Sequence, residues 1–283
     1  MKWRLLKRET CEGLLKEAKN KAAMQMAIDE AIAIAHSERK VINTLRFYTF
    51  NPAAITIGVH QDINKMRFAE PVKKYEFVRR ATGGTSVLHK DDLTYSIIVS
   101  KNYVPPKVTE AYKKLSTGIV KGLNLLGVKA EHRLITLTPD RERERTEVCY
   151  ANKNQYDIVV NGKKISGNAM CYINNAVLQQ GTIIIEDHIK ELIRCFRLGE
   201  EARNKIIKEK KESITSIKTE IGDVFLEDLE EKVREGFEHE GAVFIEGNLT
   251  DYEIKKAKEL YKTKYSTKQW NMHRNIKTNT LRK

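Results

Sequence analysis

The chain has 283 residues, of which 41% are hydrophobic and 31% charged, enough for one large globular domain with a sizeable core. No apolar run approaches the roughly 20 residues that span a bilayer, and the opening MKWRLLKRET lacks the apolar core of a signal peptide, so a cytoplasmic protein without membrane association is expected. The net charge of +13 suits acidic partners, yet Lys and Arg are interleaved with Glu and no nucleic-acid motif accompanies them, which argues against nucleic acid.

Met1–Thr10 reads as an opening strand through Trp3, Leu5 and Leu6. Met24, Ile28, Ala31 and Ala35 recur at helical spacing and predict a helix over Ala22–Ala35 with a buried stripe. Asp29 and Glu30 fall off that stripe and are expected on a solvated surface. Leu45–Phe50 and Ala54–Gly58 read as strands joined through Asn51-Pro52, and Glu76–Arg80 as a short strand ending in Ala81-Thr82-Gly83-Gly84-Thr85. Because Leu93–Ser100 is a strand again, the paired glycines lie in a strand-to-strand turn. That excludes a P-loop or dinucleotide fold, where a helix follows the glycines. Adjacent glycines permit close backbone approach to a ligand. Arg79 and Arg80 arrive at the same turn on opposite faces of their strand, and His89 follows it.

After Pro105-Pro106 the period becomes helical: Val108, Tyr112, Leu115, Ile119, Leu123 and Leu126 form one face, and Gly127 closes it. Gly118 and Gly122, four apart, are expected to let this helix lie close on the sheet. Arg141–Glu147 (RERERTE) is a charge run leading into Cys149. Tyr156–Val160 is a β-branched run followed by Asn161-Gly162, the strongest short hairpin signal. The register places Val160 opposite Lys163 and Val159 opposite Lys164. Lys164 and Ser166 should then share one face and Ile165 take the other. Asn174-Asn175 marks a second turn, so Gly167-Asn168-Ala169 is a bare ledge on an antiparallel meander. Beyond it, His188–Phe196, Glu227–Phe237 and Tyr252–Tyr261 look helical and Ala242–Glu246 forms a strand, while the basic end Arg274–Lys283 is expected to be disordered.

Four cysteines, Cys11, Cys149, Cys171 and Cys195, form no CxxC pair, so neither a metal site nor a disulfide framework is indicated. Cys171 and Cys195 read as buried inert thiols; Cys149 has polar surroundings. A thiol of ordinary pKa is only about 3% thiolate at pH 7. A lysine ammonium about 4 Å away contributes up to roughly 4 kcal/mol toward the thiolate at an effective dielectric of 20. Cys149 and Lys164, if they meet, therefore suit acyl transfer through a thioester, with backbone N–H groups near Gly167-Asn168 or Gly83-Gly84 receiving the oxyanion. Spacing alone leaves open an incidental cysteine and a solvated lysine.

At these residues the chain resembles the biotin/lipoate protein ligase superfamily and, within it, the LipM-type octanoyltransferases. The resemblance runs through MAIDEAI (Met26–Ile32), LRFYTFNPAAITIGVHQ (Leu45–Gln61), FVRRATGGTSVLH (Phe77–His89), LTYSIIVS (Leu93–Ser100) and VTEAY (Val108–Tyr112). It continues through VCYANKNQYDIVVNGKKISGNA (Val148–Ala169), LQQGTI (Leu178–Ile183) and KYSTKQWN (Lys264–Asn271). It implies an α+β fold, a central mixed and largely antiparallel sheet flanked by helices. It further implies a catalytic domain over residues 1–247, with residues 248–273 packed on it and a basic tail at 274–283.

The same resemblance implies an acyl pocket lined by Arg79, Arg80, Thr82, Gly83 and Gly84, with His89, Gly167, Asn168, Ala169, Gln180 and Gly181 beside it. Lys164 would contact the acyl carbonyl, and Cys149, followed by Tyr150, would be the nucleophile. Thr85 stands where the ligases have a third glycine, Lys90 where an acidic residue is usual, and Gln180 where a histidine is usual.

The activity implied is octanoyl transfer from an acyl carrier protein, or a related thioester, through Cys149 to a lysine of a lipoyl-domain protein such as glycine-cleavage H protein. No metal or organic cofactor is called for. The alternative is a lipoate–protein ligase using ATP and Mg²⁺, with Cys149 a bystander. A non-catalytic acyl- or protein-binding module is a third reading.

Overall fold

The computed structural model describes residues 1–133 and 157–273. An eight-stranded sheet takes the order β11-β1-β2-β6-β10-β9-β8-β7, formed by β1 (Lys2–Leu6), β2 (Thr44–Tyr48), β6 (Asp92–Ser100), β7 (Glu131–His132), β8 (Ile158–Val160), β9 (Lys163–Ile173), β10 (Ala176–Ile184) and β11 (Val243–Glu246). The pairs β1–β11 and β1–β2 are parallel and the remaining pairs antiparallel, so the sheet is mixed and largely antiparallel. A separate three-stranded sheet, β4-β3-β5, comprises β3 (Ala54–Ile57), β4 (Glu76–Arg79) and β5 (Val87–His89). The strands either side of Asn51-Pro52 thus belong to different sheets, and the glycine turn hangs between β4 and β5 of the smaller one.

The large sheet is covered on both faces. On one, α3 (Val108–Leu125) and α7 (Leu226–Glu238) seal a core that includes Leu45, Tyr95, Ile97, Ile119, Ile165 and Phe237. On the other, α2 (Lys21–Ser37) and α8 (Asp251–Leu260) close over Met26, Ile28, Tyr48, Ile98 and Leu178. A third cluster under the small sheet joins Ile55, Ile57 and Leu88 to Ile189, Leu192 and Ile193 of α4 (Ile189–Arg194). Among the described residues no helix is long and apolar enough to cross a membrane.

Several expectations change. α2 is buried nearly all round, because the sheet lies on one side and α8 with Tyr265 and Trp270 on the other. Asp29 is therefore fully buried, and Glu30 is half-buried, with its carboxylate accepting from Lys264 Nζ (2.6 Å) and from the Tyr265 hydroxyl. Gly118 and Gly122 do not face the sheet. A Cβ on Gly118 would strike the Phe237 ring and one on Gly122 the Val233 backbone (2.5 Å each), so these glycines serve the α3–α7 crossing. Gly127 (φ +96°) does end α3, with its N–H donating to Asn124 O and the N–H of Val128 to Leu123 O. Glu12–Glu17 (α1), Glu200–Ser213 (α5) and Ile217–Ile221 (α6) are helical as well. The run Arg141–Glu147 and the tail Arg274–Lys283 lie outside the described residues.

Candidate active site

The glycine turn is fastened from three sides. Gly58 lies so close that a Cβ there would overlap the carbonyl oxygen of Gly84, and Val59 donates to Thr82 O (2.9 Å). Arg80, opening the turn, folds its guanidinium back onto Gly83 O (2.7 Å) and Thr85 O (2.9 Å), with Nη1 donating to Thr56 Oγ1 (3.0 Å). Gly84 adopts φ +85°, a backbone conformation that disfavours other side chains. Arg79 points away, as alternation requires. Its guanidinium donates to Gly58 O (3.0 Å), Gln61 O (2.7 Å), Trp270 O (3.0 Å) and Asn271 O (3.1 Å), tying the C-terminal segment to the strand. His89 stacks on Phe50 (4.2 Å), with Nδ1 against Asp92 Oδ2 (2.8 Å) and Nε2 against Thr56 Oγ1 (3.1 Å).

The lysine lies on the same face of the ledge as this turn because of an irregularity. The predicted pairs Val159–Lys164 and Val160–Lys163 are present, but Ile158 pairs with Ser166, so one residue bulges between them. A bulge resets the alternation of side chains. Ile165 enters the core under α3, and Ser166 also turns to that face, where its hydroxyl meets Tyr95 Oη (3.4 Å). Lys164 is thereby placed on the face of Gly167, not of Ser166. A Cβ on Gly167 would stand 2.6 Å from Lys164 Nζ, so the bare position is where the ammonium lies. Asp157, 1% exposed, pairs with Lys164 Nζ at 2.8 Å.

The ledge has two sides. Ala169 faces the turn, and a Cβ on Gly84 would touch the Ala169 methyl at 3.9 Å. Asn168 points to the other face, where its side chain accepts from the Tyr95 hydroxyl and from Gln179 Nε2 (3.3 Å). Gly181 pairs with Asn168 and is bare because Tyr95 and Asn168 fill its space. Gln180, opposite Ala169, bridges two parts: Thr82 Oγ1 donates to its Oε1 (2.8 Å) and its Nε2 donates to Asp29 Oδ2 (2.7 Å). Asp29 also accepts from Arg46 Nη1 (2.6 Å), Ser96 Oγ (2.9 Å) and Tyr48 Oη (2.8 Å).

Sequence reading missed Asp157, Asp29 and Tyr95. Each had a signal: an acid in the apolar run DIVV, an acid inside MAIDEAI, and an aromatic hydroxyl set between Thr94 and Ser96 in LTYSIIVS. Of the thiols, burial pushes Cys171 up to about 12 and Cys195 up to about 11, and Cys11 is buried beneath α2. Cys149 lies outside the described residues. The described residues thus bring together the glycine turn, Ala169, Gly167, Lys164 and Gln180. Arg79 and Asn168 direct their side chains elsewhere.

A family model described as the lipoyl protein ligase A/B catalytic domain matches residues 21–238. The chain is 36% identical over 264 residues to octanoyltransferase LipM of Brevibacillus brevis, covering 89% of this chain and 95% of that one. It is 35% identical over 262 residues to octanoyltransferase LipM of Bacillus subtilis, with 89% and 94% covered. Among solved structures, the bipartite lipoate protein ligase of an archaeal lipoylation system from Thermoplasma acidophilum superposes with a TM-score of 0.75 at 25% identity, covering 98% of this chain and 97% of that one. Lipoate-protein ligase A bound with ATP gives a TM-score of 0.75 at 24% identity over 96% of this chain and 99% of that chain, a likeness of fold.

Proposed function

Because the chain belongs to the lipoyl protein ligase A/B catalytic-domain family and, within it, to the LipM octanoyltransferases, we propose that it moves an octanoyl group from a carrier-protein thioester, through a thioester on Cys149, to a lysine of a lipoyl-domain protein. In the first half, the Cys149 thiolate attacks the thioester carbonyl. The new C–S bond forms as the carrier sulfur leaves and takes a proton. In the second, the acceptor amine attacks the Cys149 thioester, an amide forms, and the cysteine sulfur departs and is reprotonated. The acyl group arrives already activated, so this balance needs neither ATP nor a metal.

One observation carries the reading. The β9 bulge swings Lys164 onto the bare Gly167 position, on the face where Ala169 meets the glycine turn, with Asp157 orienting the ammonium. An ammonium there supports the thiolate and the developing oxyanion. Position 149 precedes Asp157 by eight residues, which span at most about 29 Å, so connectivity permits the thiol to reach Lys164. The net charge of +13 suits encounter with acidic carrier and lipoyl domains. The archaeal relative's companion lipoyl domain supports an acceptor of that class.

The test is incubation with an octanoyl thioester and no ATP, followed by peptide mapping at pH 7.5. One octanoyl adduct is expected on Cys149, none on Cys171 or Cys195, and none at all in Cys149→Ala. With pKa values near 12 and 11, the thiols of Cys171 and Cys195 hold a negligible thiolate fraction until the pH approaches those values. Acceptor modification that requires ATP and survives Cys149→Ala would overturn the proposal.

A further inference from the structure

We propose that Gln180 is a positioning residue of the acyl-transfer site: its amide, oriented by Asp29, holds Thr82 and so sets where the glycine turn stands against Ala169. The inference rests on the acyl-transfer reading of the same site. Its physical basis is the direction of the hydrogen bonds. Asp29 is completely buried and sits against the Arg46 guanidinium at 2.6 Å, where its carboxylate serves as an acceptor. It must receive the N–H₂ end of the Gln180 amide (2.7 Å), which leaves the amide oxygen facing Thr82. That oxygen can only accept, so the Thr82 hydroxyl donates (2.8 Å). The carboxylate thus dictates the orientation of a hydroxyl two bonds down the chain of contacts.

The rung of the ladder that bears Gln180 also bears Ala169, and Ala169 is the residue that Gly84 approaches. One rung of the large sheet therefore borders the turn twice, with Gln180 bonded to Thr82 and Ala169 set beside Gly84. Thr82 carries the connection onward, because its carbonyl accepts from Val59 N–H (2.9 Å). A side chain here must present a donor at one end and an acceptor at the other. Gln does so at every pH.

A neutral imidazole at position 180 could do the same, donating to Asp29 and accepting from Thr82. An imidazolium has two donors and no acceptor, so the Thr82 hydroxyl would have to turn round and accept from it, reversing the contact. The charged and titratable groups around that position are Asp29 on α2 and Arg46 and Tyr48 on β2.

The test measures KM and kcat for an octanoyl thioester, together with hydrogen exchange at the Val59 amide. Thr82→Val keeps the shape and removes the donor. It is expected to raise KM about tenfold with kcat within about twofold, and to speed Val59 exchange about tenfold. Thr82→Ser should recover most of both effects. Gln180→Leu, which offers neither a donor to Asp29 nor an acceptor to Thr82, should raise KM and speed Val59 exchange as Thr82→Val does, and adding Thr82→Val to it should bring little further change. The proposal is overturned if Thr82→Val leaves both KM and Val59 exchange unchanged. It is equally overturned if the effects of Gln180→Leu and Thr82→Val add in full. Should the wild type form no Cys149 adduct, the acyl-transfer reading fails, and the exchange measurement still decides the role of Gln180.

Discussion

The glycine turn and Lys164 flank the same ledge, and they are held by different physics. Around the turn, backbone meets backbone: Gly58 against Gly84, Val59 N–H on Thr82 O, and arginine forks on the carbonyls of Gly83 and Thr85. At the other end of the ledge, a long side chain lies across an empty position, its tip guided by Asp157 and its side chain still 19% exposed. A turn fixed through its main chain keeps one shape. A lysine fixed at its tip can follow a reacting carbonyl between two successive steps. The contrast gives each residue an expected response: changes beneath the turn should cost stability, and changes beneath the lysine should cost rate.

The largest effect is expected at Arg79. Its buried guanidinium satisfies carbonyls of Gly58, Gln61, Trp270 and Asn271, so Arg79→Ala strands several acceptors at once. The expected loss is about 3–5 kcal/mol, read as a fall in Tm on the order of 10 °C. A fall below about 2 °C would mean that the C-terminal segment is not anchored through this residue.

Gly58→Ala comes next. The added methyl would meet main-chain atoms of Gly84 and Gly83, which yield only if the turn moves. A loss of about 1–3 kcal/mol in stability is expected, with a rise in the KM for the octanoyl thioester. Unchanged KM with reduced Tm would show that the turn does not border the acyl group.

The ease with which these parts could be read from sequence follows the same division. Both hairpin turns were legible, because Asn161, Gly162 and Asn174 occupy φ of 48°, 75° and 51°, the conformations that Asn and Gly tolerate best. The helix over Ala22–Ala35 announced itself by its period, and Gly127 announced the end of α3. Whether Lys164 faces the ledge was not legible, since a one-residue bulge between Ile158 and Val159 leaves no mark in composition and inverts every later assignment on β9. Asp29 was misread for a tertiary reason. The sheet beneath α2 reaches beyond the apolar stripe, and polar groups of Arg46, Tyr48, Ser96 and Gln180 take up the carboxylate there. Arg79 and Arg80 were correctly separated by alternation, but that one would spend its donors on a segment near residue 270 depends on a long-range contact that no local pattern reports.

Gly167→Ala gives the smallest change in stability and the sharpest test of the lysine. Gly167 lies in the extended strand β9, so its backbone suits alanine, and removing a glycine stiffens the unfolded chain by about 0.4–1 kcal/mol in favour of folding. The atoms the methyl would meet are Lys164 Nζ (2.6 Å) and Cε (2.7 Å), the far end of a flexible side chain. The lysine should give way by an ångström or so without disturbing the sheet. Tm is then expected to hold or rise slightly, while the rate of Cys149 octanoylation falls about a hundredfold, because a misplacement of that size at a reacting centre costs that much. Loss of both Tm and rate would mean that Lys164 is as firmly built in as the turn. Retention of both would mean that the ammonium does its work from somewhere other than the Gly167 position.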